Sequence, residues 1–145
     1  ICDQKGTNTA GGGSSTGAFY TRDLNTELAD PDGIVSISGN QFTLQAGTYL
    51  IHASAPAQGA ARHQVLVWNV TDSSVTALGY NAYSNASSVT TSRAFATNRT
   101  TISSAKVFEI RHRVENSRST DGLGVECNYD TLLSIYTVVE IYKEA

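Results

Sequence analysis

The sequence predicts an all-β fold, and three observations support this fold class. Apolar residues at the spacing of an amphipathic helix are not sustained beyond one turn anywhere in the chain. Segments that alternate apolar and polar residues recur instead, and each of them ends at Gly, Asn, Asp or Ser. About ten such segments follow one another at the roughly 8–12-residue spacing that is typical of β-sandwiches and barrels.

Turn residues separate the predicted strands. Pro31 fixes its own φ and Gly33 readily adopts a positive φ, so residues 30–33 are predicted to form a turn. The Gly- and Ser-rich residues 11–17 favour a strand poorly, and we expect a flexible loop there. We expect strands at residues 1–5, 18–24, 34–38, 41–44, 48–55, 63–70, 76–83, 89–96, 106–114, 124–128 and 134–142.

Composition limits the domain count and the partners. A chain of 145 residues with 40% hydrophobic residues suits one domain, residues 1–145, with a real core. The net charge of −3 provides no basic field for nucleic acid. No apolar run approaches the ~20 residues that span a bilayer, so we expect no membrane insertion.

The two cysteines lie near opposite ends of the chain, at Cys2 and Cys127. They lack the CxxC spacing of zinc sites, so we expect no metal and no other cofactor. Spacing alone does not decide between two free thiols and one disulfide, and both alternatives stay open.

No catalytic motif is recognisable, and we expect a protein that is not an enzyme. The chain contains neither a Gly-x-Ser-x-Gly elbow nor a His-Glu-x-x-His sequence. The glycine run lacks the Gly-Lys-Ser/Thr end of a phosphate-binding loop. We interpret His52, His63 and His112 as hydrogen-bonded histidines of an interface or the core, rather than as general bases or metal ligands.

Three predicted strands, residues 48–55, 106–114 and 134–142, present a second face of mixed character. This face is too apolar for plain solvent exposure and too charged for a monomer core, so it is typical of a subunit interface. A solvated face with a few exposed apolar residues is the alternative. The predicted interface residues are His52, Glu109, Arg111, Arg113, Tyr136 and Glu140.

Two segments resemble the TNF-like and complement-type globular heads. Residues 42–53, FTLQAGTYLIHA, resemble their Phe, Gly-x-Tyr and alternating apolar signature, and residues 136–142, YTVVEIY, resemble their last strand. The resemblance implies a ten-stranded antiparallel jelly-roll sandwich that assembles as a homotrimer. In these families the sheet with the N- and C-terminal strands faces the three-fold axis. The family order would place residues 48–55 between the other two strands, with the charged side chains forming a network that fixes the trimer register.

Other segments resemble C-terminal domains of tailed-bacteriophage structural proteins. These segments are residues 21–26, 53–56, 62–64, 103–113 and 119–122. The resemblance implies a non-enzymatic virion protein, the trimeric head of a tail fibre or appendage that binds the host surface. A capsid decoration protein that stabilises the phage head is the alternative, followed by a secreted TNF-like ligand. The phage-like segments and the lack of a visible leader count against the secreted ligand.

Receptor contacts are expected on loops, where binding residues concentrate. Exposed tyrosines among Asn and Ser residues suit a carbohydrate or a protein surface. The expected partners are therefore further copies of the chain, other virion proteins and a host-surface carbohydrate or protein. The candidate loops are residues 58–62, 79–88 and 116–121, with ordinary polar loops as the alternative. The candidate contact residues are Tyr80, Tyr83, Asn85 and Arg118.

Overall fold

The computed structural model describes residues 1–145 and confirms the all-β fold class. Two antiparallel sheets pack as a sandwich. No helical segment is long and apolar enough to cross a bilayer. The strands are β1 (Cys2–Lys5), β2 (Phe19–Thr21), β3 (Val35–Ser38), β4 (Gln41–Leu44), β5 (Gly47–Gln58), β6 (Ala61–Asn69), β7 (Ser74–Leu78), β8 (Ala82–Ser84), β9 (Thr91–Ile102), β10 (Lys106–Val114) and β11 (Ser134–Lys143).

The chain alternates between a four-stranded and a seven-stranded sheet. The four-stranded sheet has the order β1-β11-β5-β9 and therefore holds both terminal strands. The other sheet follows the path β3-β4-β10-β6-β7, with β2 added to β10 and β8 added to β6. Because β2 and β4 pair with different halves of β10, these two short strands lie end to end along it.

The core lies between the sheets, and the alternation of each strand determines which side chains enter it. Tyr49 and Ile51 point inward from β5, and Val67 and Phe108 point inward from the opposite sheet. The rings of Phe42 and Phe108 stack with their centroids 5.5 Å apart. Full burial of one such side chain is worth roughly 1.5–3 kcal/mol, so this layer is the main source of cohesion between the sheets.

The predicted strands at residues 41–44 and 106–114 are confirmed at both ends. The predicted strand at residues 76–83 is instead two strands, with a break at Gly79. The Gly79 amide donates to the Val65 carbonyl in one sheet, and the Tyr80 amide donates to the Phe95 carbonyl in the other. A Cβ at position 79 would lie 2.2 Å from the Val65 oxygen, so this close approach requires glycine.

Residues 11–17 do not form the free loop that was predicted, and residues 124–128 form no strand. The Gly11 amide donates to the Gly124 carbonyl at 2.8 Å, and Ser14 exchanges two backbone hydrogen bonds with Arg118. A Cβ on Gly11 would lie 2.6 Å from the Leu123 oxygen. The glycines therefore allow the run to pack closely against residues 118–124, and backbone bonds hold it there.

Arg22 is the largest fully buried side chain, with 1% of its surface exposed. Its Nε donates to Thr137 Oγ1 at 2.9 Å, its Nη2 to the Leu123 carbonyl at 2.7 Å and its Nη1 to the Pro56 carbonyl at 3.5 Å. No carboxylate forms an ion pair with it. Burial lowers the pKa of Arg22 to about 10, so the guanidinium stays charged at neutral pH. It links β5, β11 and the segment at Leu123.

A buried histidine pair lies between the sheets. His63 Nδ1 and His112 Nε2 are 3.0 Å apart, and His63 Nε2 lies 2.8 Å from Ser92 Oγ on the opposite sheet. This confirms that both are hydrogen-bonded core histidines. Burial and the positive charge of Arg22 lower the pKa of His63 to about 4 and hold the pKa of His112 well below its usual value. Both rings are therefore neutral at pH 7.

We expect Arg22→Ala to lower the free energy of unfolding by about 3–5 kcal/mol, because it leaves a cavity and three buried acceptors without their donor. Urea denaturation of the purified protein measures this loss. Arg62→Ala serves as the control, because Arg62 forms only an exposed ion pair with Glu115. Equal stability of the two variants would contradict the anchoring role of Arg22.

We expect the free energy of unfolding to fall between pH 7 and pH 5. Protonation of His63 in the unfolded chain accounts for about 1–2 kcal/mol of this fall. The folded state holds the His63 pKa below its ordinary 6.5, so the unfolded chain takes up the proton first. The stability is therefore present above pH 6.5 and is lost as the pH falls toward 4. Urea denaturation at both pH values measures it. A flat profile would show that the pair is not held neutral.

Candidate functional site

The outer face of the four-stranded sheet carries three cross-strand rows of side chains. Register places Val138, Ser54 and Phe95 in one row, since directly paired residues share a face. Leu50, Phe95 and Tyr142 are 39%, 40% and 58% exposed, so the face presents apolar side chains at its surface. We call it the Leu50 face, and its residues are Leu50, His52, Ser54, Phe95, Thr97, Arg99, Val138, Glu140 and Tyr142.

A polar row of Glu140, His52 and Thr97 lies between the two rows that hold the apolar residues of the Leu50 face. His52 Nδ1 lies 2.7 Å from Thr97 Oγ1, and the His52 ring lies 5.9 Å from the Phe95 ring between centroids. Arg99 makes a bidentate ion pair with Glu144, at 2.6 and 2.7 Å. Glu140 pairs with no cation in the chain. The face therefore offers apolar contact area together with one unpaired carboxylate.

The prediction that six interface residues share one sheet face is wrong. Strand β5 lies between β11 and β9, while Glu109, Arg111 and Arg113 are on β10 in the other sheet. Alternation places these three side chains correctly on an outer face, but it does not specify which sheet contains their strand. Of the six, His52 and Glu140 lie opposite each other on the Leu50 face.

Tyr136 also departs from the prediction, because it is 2% exposed. Its hydroxyl donates to the Thr9 carbonyl at 2.6 Å, and its ring packs near Gly11 and Gly124. The N-terminal segment thus covers this end of β11. Tyr136 holds that segment to the sheet and offers no surface to a second subunit.

Glu109 and Arg111 form a local network on the outer face of the seven-stranded sheet. Glu109 accepts from Gln41 Nε2 at 3.0 Å and from Arg111 Nε at 2.6 Å. Burial acts to raise the pKa of Glu109, but the hydrogen bonds from Gln41 and Arg111 hold it below the usual value. Arg111 lies 4.1 Å above the Trp68 ring in a cation–π contact. This network joins β4, β6 and β10, and its charges are already paired within the chain.

A groove of about 490 Å³ lies at the other end of the same face. Register places Tyr83, Arg62 and Glu115 at its rim, and Gln64 and Arg113 lie on the next row. Phe19 pairs with Arg113 from β2 and lies under its guanidinium, 5.5 Å from the ring centroid. We call this the Arg113 groove, and its polar lining residues are Arg62, Gln64, Asn81, Arg113 and Glu115.

The four predicted receptor-contact residues occupy two kinds of position. Tyr80 and Tyr83 are 68% and 60% exposed, so both are free for contact. Asn85 caps a turn, since its Oδ1 accepts from the amides of residues 87 and 88. Arg118 makes a bidentate ion pair with Asp121, at 2.7 and 2.8 Å, and this pair holds the loop at residues 116–122.

Sequence reasoning missed most of the Arg113 groove. The candidate contact loops at residues 58–62 and 79–88 contain Arg62 and Asn81, but they leave out Gln64, Arg113 and Glu115. The one available signal was the outward alternation of Gln64 and Arg113 on two predicted strands. Pairing of those strands brings the residues together, and alternation alone does not specify the pairing.

No group of three or more His, Cys, Asp or Glu side chains is arranged to hold a metal ion. Cys2 and Cys127 are both free thiols in the structure, which is the first of the two alternatives left open by the sequence. Burial raises the pKa of the Cys2 thiol above its ordinary value. Ser92 points into the core, where its hydroxyl contacts His63. Catalytic sites also pair a serine with a histidine, but this pair lies between the sheets.

Neither the protein-family models nor the curated proteins compared with this chain include a match. The two surfaces that bear on function are the Leu50 face and the Arg113 groove, which lie on the outer faces of opposite sheets.

Proposed function

We propose that this chain is a non-enzymatic virion protein, the trimeric head of a phage tail fibre or similar appendage that binds the host surface. Its fold is then a TNF-like jelly roll. The strand orders β1-β11-β5-β9 and β3-β4-β10-β6-β7 support this, because the chain crosses repeatedly between two antiparallel sheets. The sheet with both terminal strands is the one that faces the three-fold axis in the families that the sequence resembles.

The observation that carries the proposal is the Leu50 face. It lies on the sheet with both terminal strands and carries exposed Leu50, Phe95 and Tyr142 together with a central polar row. Surfaces that combine exposed apolar and aromatic residues with polar groups are typical of association surfaces. A second and a third copy of the chain are the occupants that fit this face in the proposed trimer.

Trimer formation supplies a mechanism for host binding. With the Leu50 face turned to the axis, the outer face of the seven-stranded sheet points away from it. Tyr80 and Tyr83 lie at the β7–β8 edge of that sheet and would be presented three times on one rigid body. Linked weak sites raise the overall affinity well beyond that of one site, which suits attachment to a repetitive host surface.

We expect Leu50→Asp to lower the trimer fraction, because it places three like charges in an apolar interface. Sedimentation velocity at micromolar concentration measures the distribution of species. Tyr83→Ala and Arg111→Ala are matched controls on the opposite sheet, and both are expected to keep the wild-type distribution. If Arg111→Ala dissociates the assembly and Leu50→Asp does not, the interface is on the wrong sheet.

The virion location is tested by immunogold labelling of purified phage particles whose genome encodes the chain. We expect few gold particles per virion, all of them at the tail. Dense labelling across the head would instead identify a capsid decoration protein. Particles without any label, in a preparation whose protein composition includes no copy of the chain, would overturn the virion proposal.

A further inference from the structure

We propose that the Arg113 groove binds an acidic saccharide, a pyranoside whose carboxylate is held by Arg113. This inference deepens the proposed host-binding function and rests on it, since it names the class of surface ligand. It also adds Gln64 and Arg113, on β6 and β10, which the loop-based prediction of receptor residues did not include.

Arg113 differs from the other six arginines because its guanidinium has no hydrogen-bond acceptor and no ion-pair partner in the chain. The other arginines are all engaged by acceptors of the protein: Arg22, Arg62, Arg93, Arg99, Arg111 and Arg118. Its position over Phe19 restricts the side chain without using its donors. A restricted guanidinium fork with free donors fits a planar carboxylate in a bidentate manner.

The charges of the groove favour an anion. Arg62 is already paired with Glu115, at 3.3 Å, so the two cancel. The unpaired charge at Arg113 therefore makes the groove locally positive, although the whole chain has a net charge of −3. A neutral ligand would make no use of this charge, whereas a carboxylate gains a charge-assisted hydrogen bond.

Two side-chain amides beside Arg113 are oriented by the protein and keep free groups for a ligand. Gln64 Nε2 donates to the Gly79 carbonyl at 2.6 Å and to Asn81 Oδ1 at 3.2 Å. These bonds leave Asn81 Nδ2 as a donor and Gln64 Oε1 as an acceptor, neither with a partner in the chain. A neighbouring donor and acceptor match two adjacent hydroxyl groups of a sugar ring, each of which donates and accepts.

Exposed aromatic rings lie at both sides of the groove. Phe19 is 50% exposed and pairs with Arg113, and Tyr83 is 60% exposed and pairs with Arg62. Flat apolar rings can pack against the C–H faces of a pyranose while polar groups engage its hydroxyls. The volume of about 490 Å³ lies within the range of small-ligand sites, and the lining combines polar side chains with apolar surface, as a sugar requires.

The inference is tested by titrating the ¹⁵N-labelled protein with methyl β-D-glucuronide, methyl α-N-acetylneuraminate and methyl β-D-glucoside, with amide chemical shifts as the readout. We expect at least one of the two acidic sugars to shift the amides of Gln64, Asn81 and Arg113. We expect it to bind about tenfold more tightly than the neutral glucoside, as a charge-assisted bond implies. Binding by neither acidic sugar, or equal binding of the glucoside, would overturn the proposal.

Arg113→Ala is expected to weaken binding of the acidic sugar about tenfold and to leave the weak glucoside interaction unchanged. Lys106→Ala is the matched control, because it removes the same charge from the same strand about 23 Å away. Equal loss in both variants would overturn the assignment to the groove.

If the chain is a trimer on the virion but no sugar shifts these amides, the saccharide inference fails and the proposed function stands. If a sugar binds but the chain is monomeric and absent from virions, the proposed function fails.

Discussion

The buried guanidinium of Arg22 is the interaction on which the rest of the sandwich depends. A charge with 1% exposure is tolerated only where acceptors surround it, and here they come from three separate segments, at Pro56, Leu123 and Thr137. The same positive charge helps to keep His63 and His112 neutral, so that they share a hydrogen bond instead of repelling each other. One end of the sandwich is thereby fixed by directional bonds rather than by apolar packing alone.

This fixed end supports both candidate surfaces, because the same strands carry the buried cluster inward and the surfaces outward. On β10, His112 enters the core and the next residue, Arg113, enters the groove. On β11, Thr137 receives the Arg22 hydrogen bond and the next residue, Val138, lies on the Leu50 face. A shift of one residue in either strand would exchange the two roles, so the buried bonds also determine which side chains are presented to partners.

The fold class and several strand limits followed from alternation, whereas the site depended on pairing between distant strands. Strand β10 was predicted at both ends, yet its outward side chains were assigned to the wrong sheet, because alternation carries no information about neighbours. Arg22 gave no sign of its burial, since arginine is almost always exposed. The groove could not be predicted either, because Gln64, Asn81 and Arg113 are far apart in the sequence. Only the pairing of β6 with β8 and β10 brings them together.

The solution mass of the purified protein decides whether further copies of the chain cover the Leu50 face. Size exclusion with multi-angle light scattering at micromolar concentration measures it without reference to any partner. If they do, we expect a single species at three times the chain mass of 15.4 kDa. A species at 15.4 kDa would contradict the trimer and leave the Leu50 face open to a different partner.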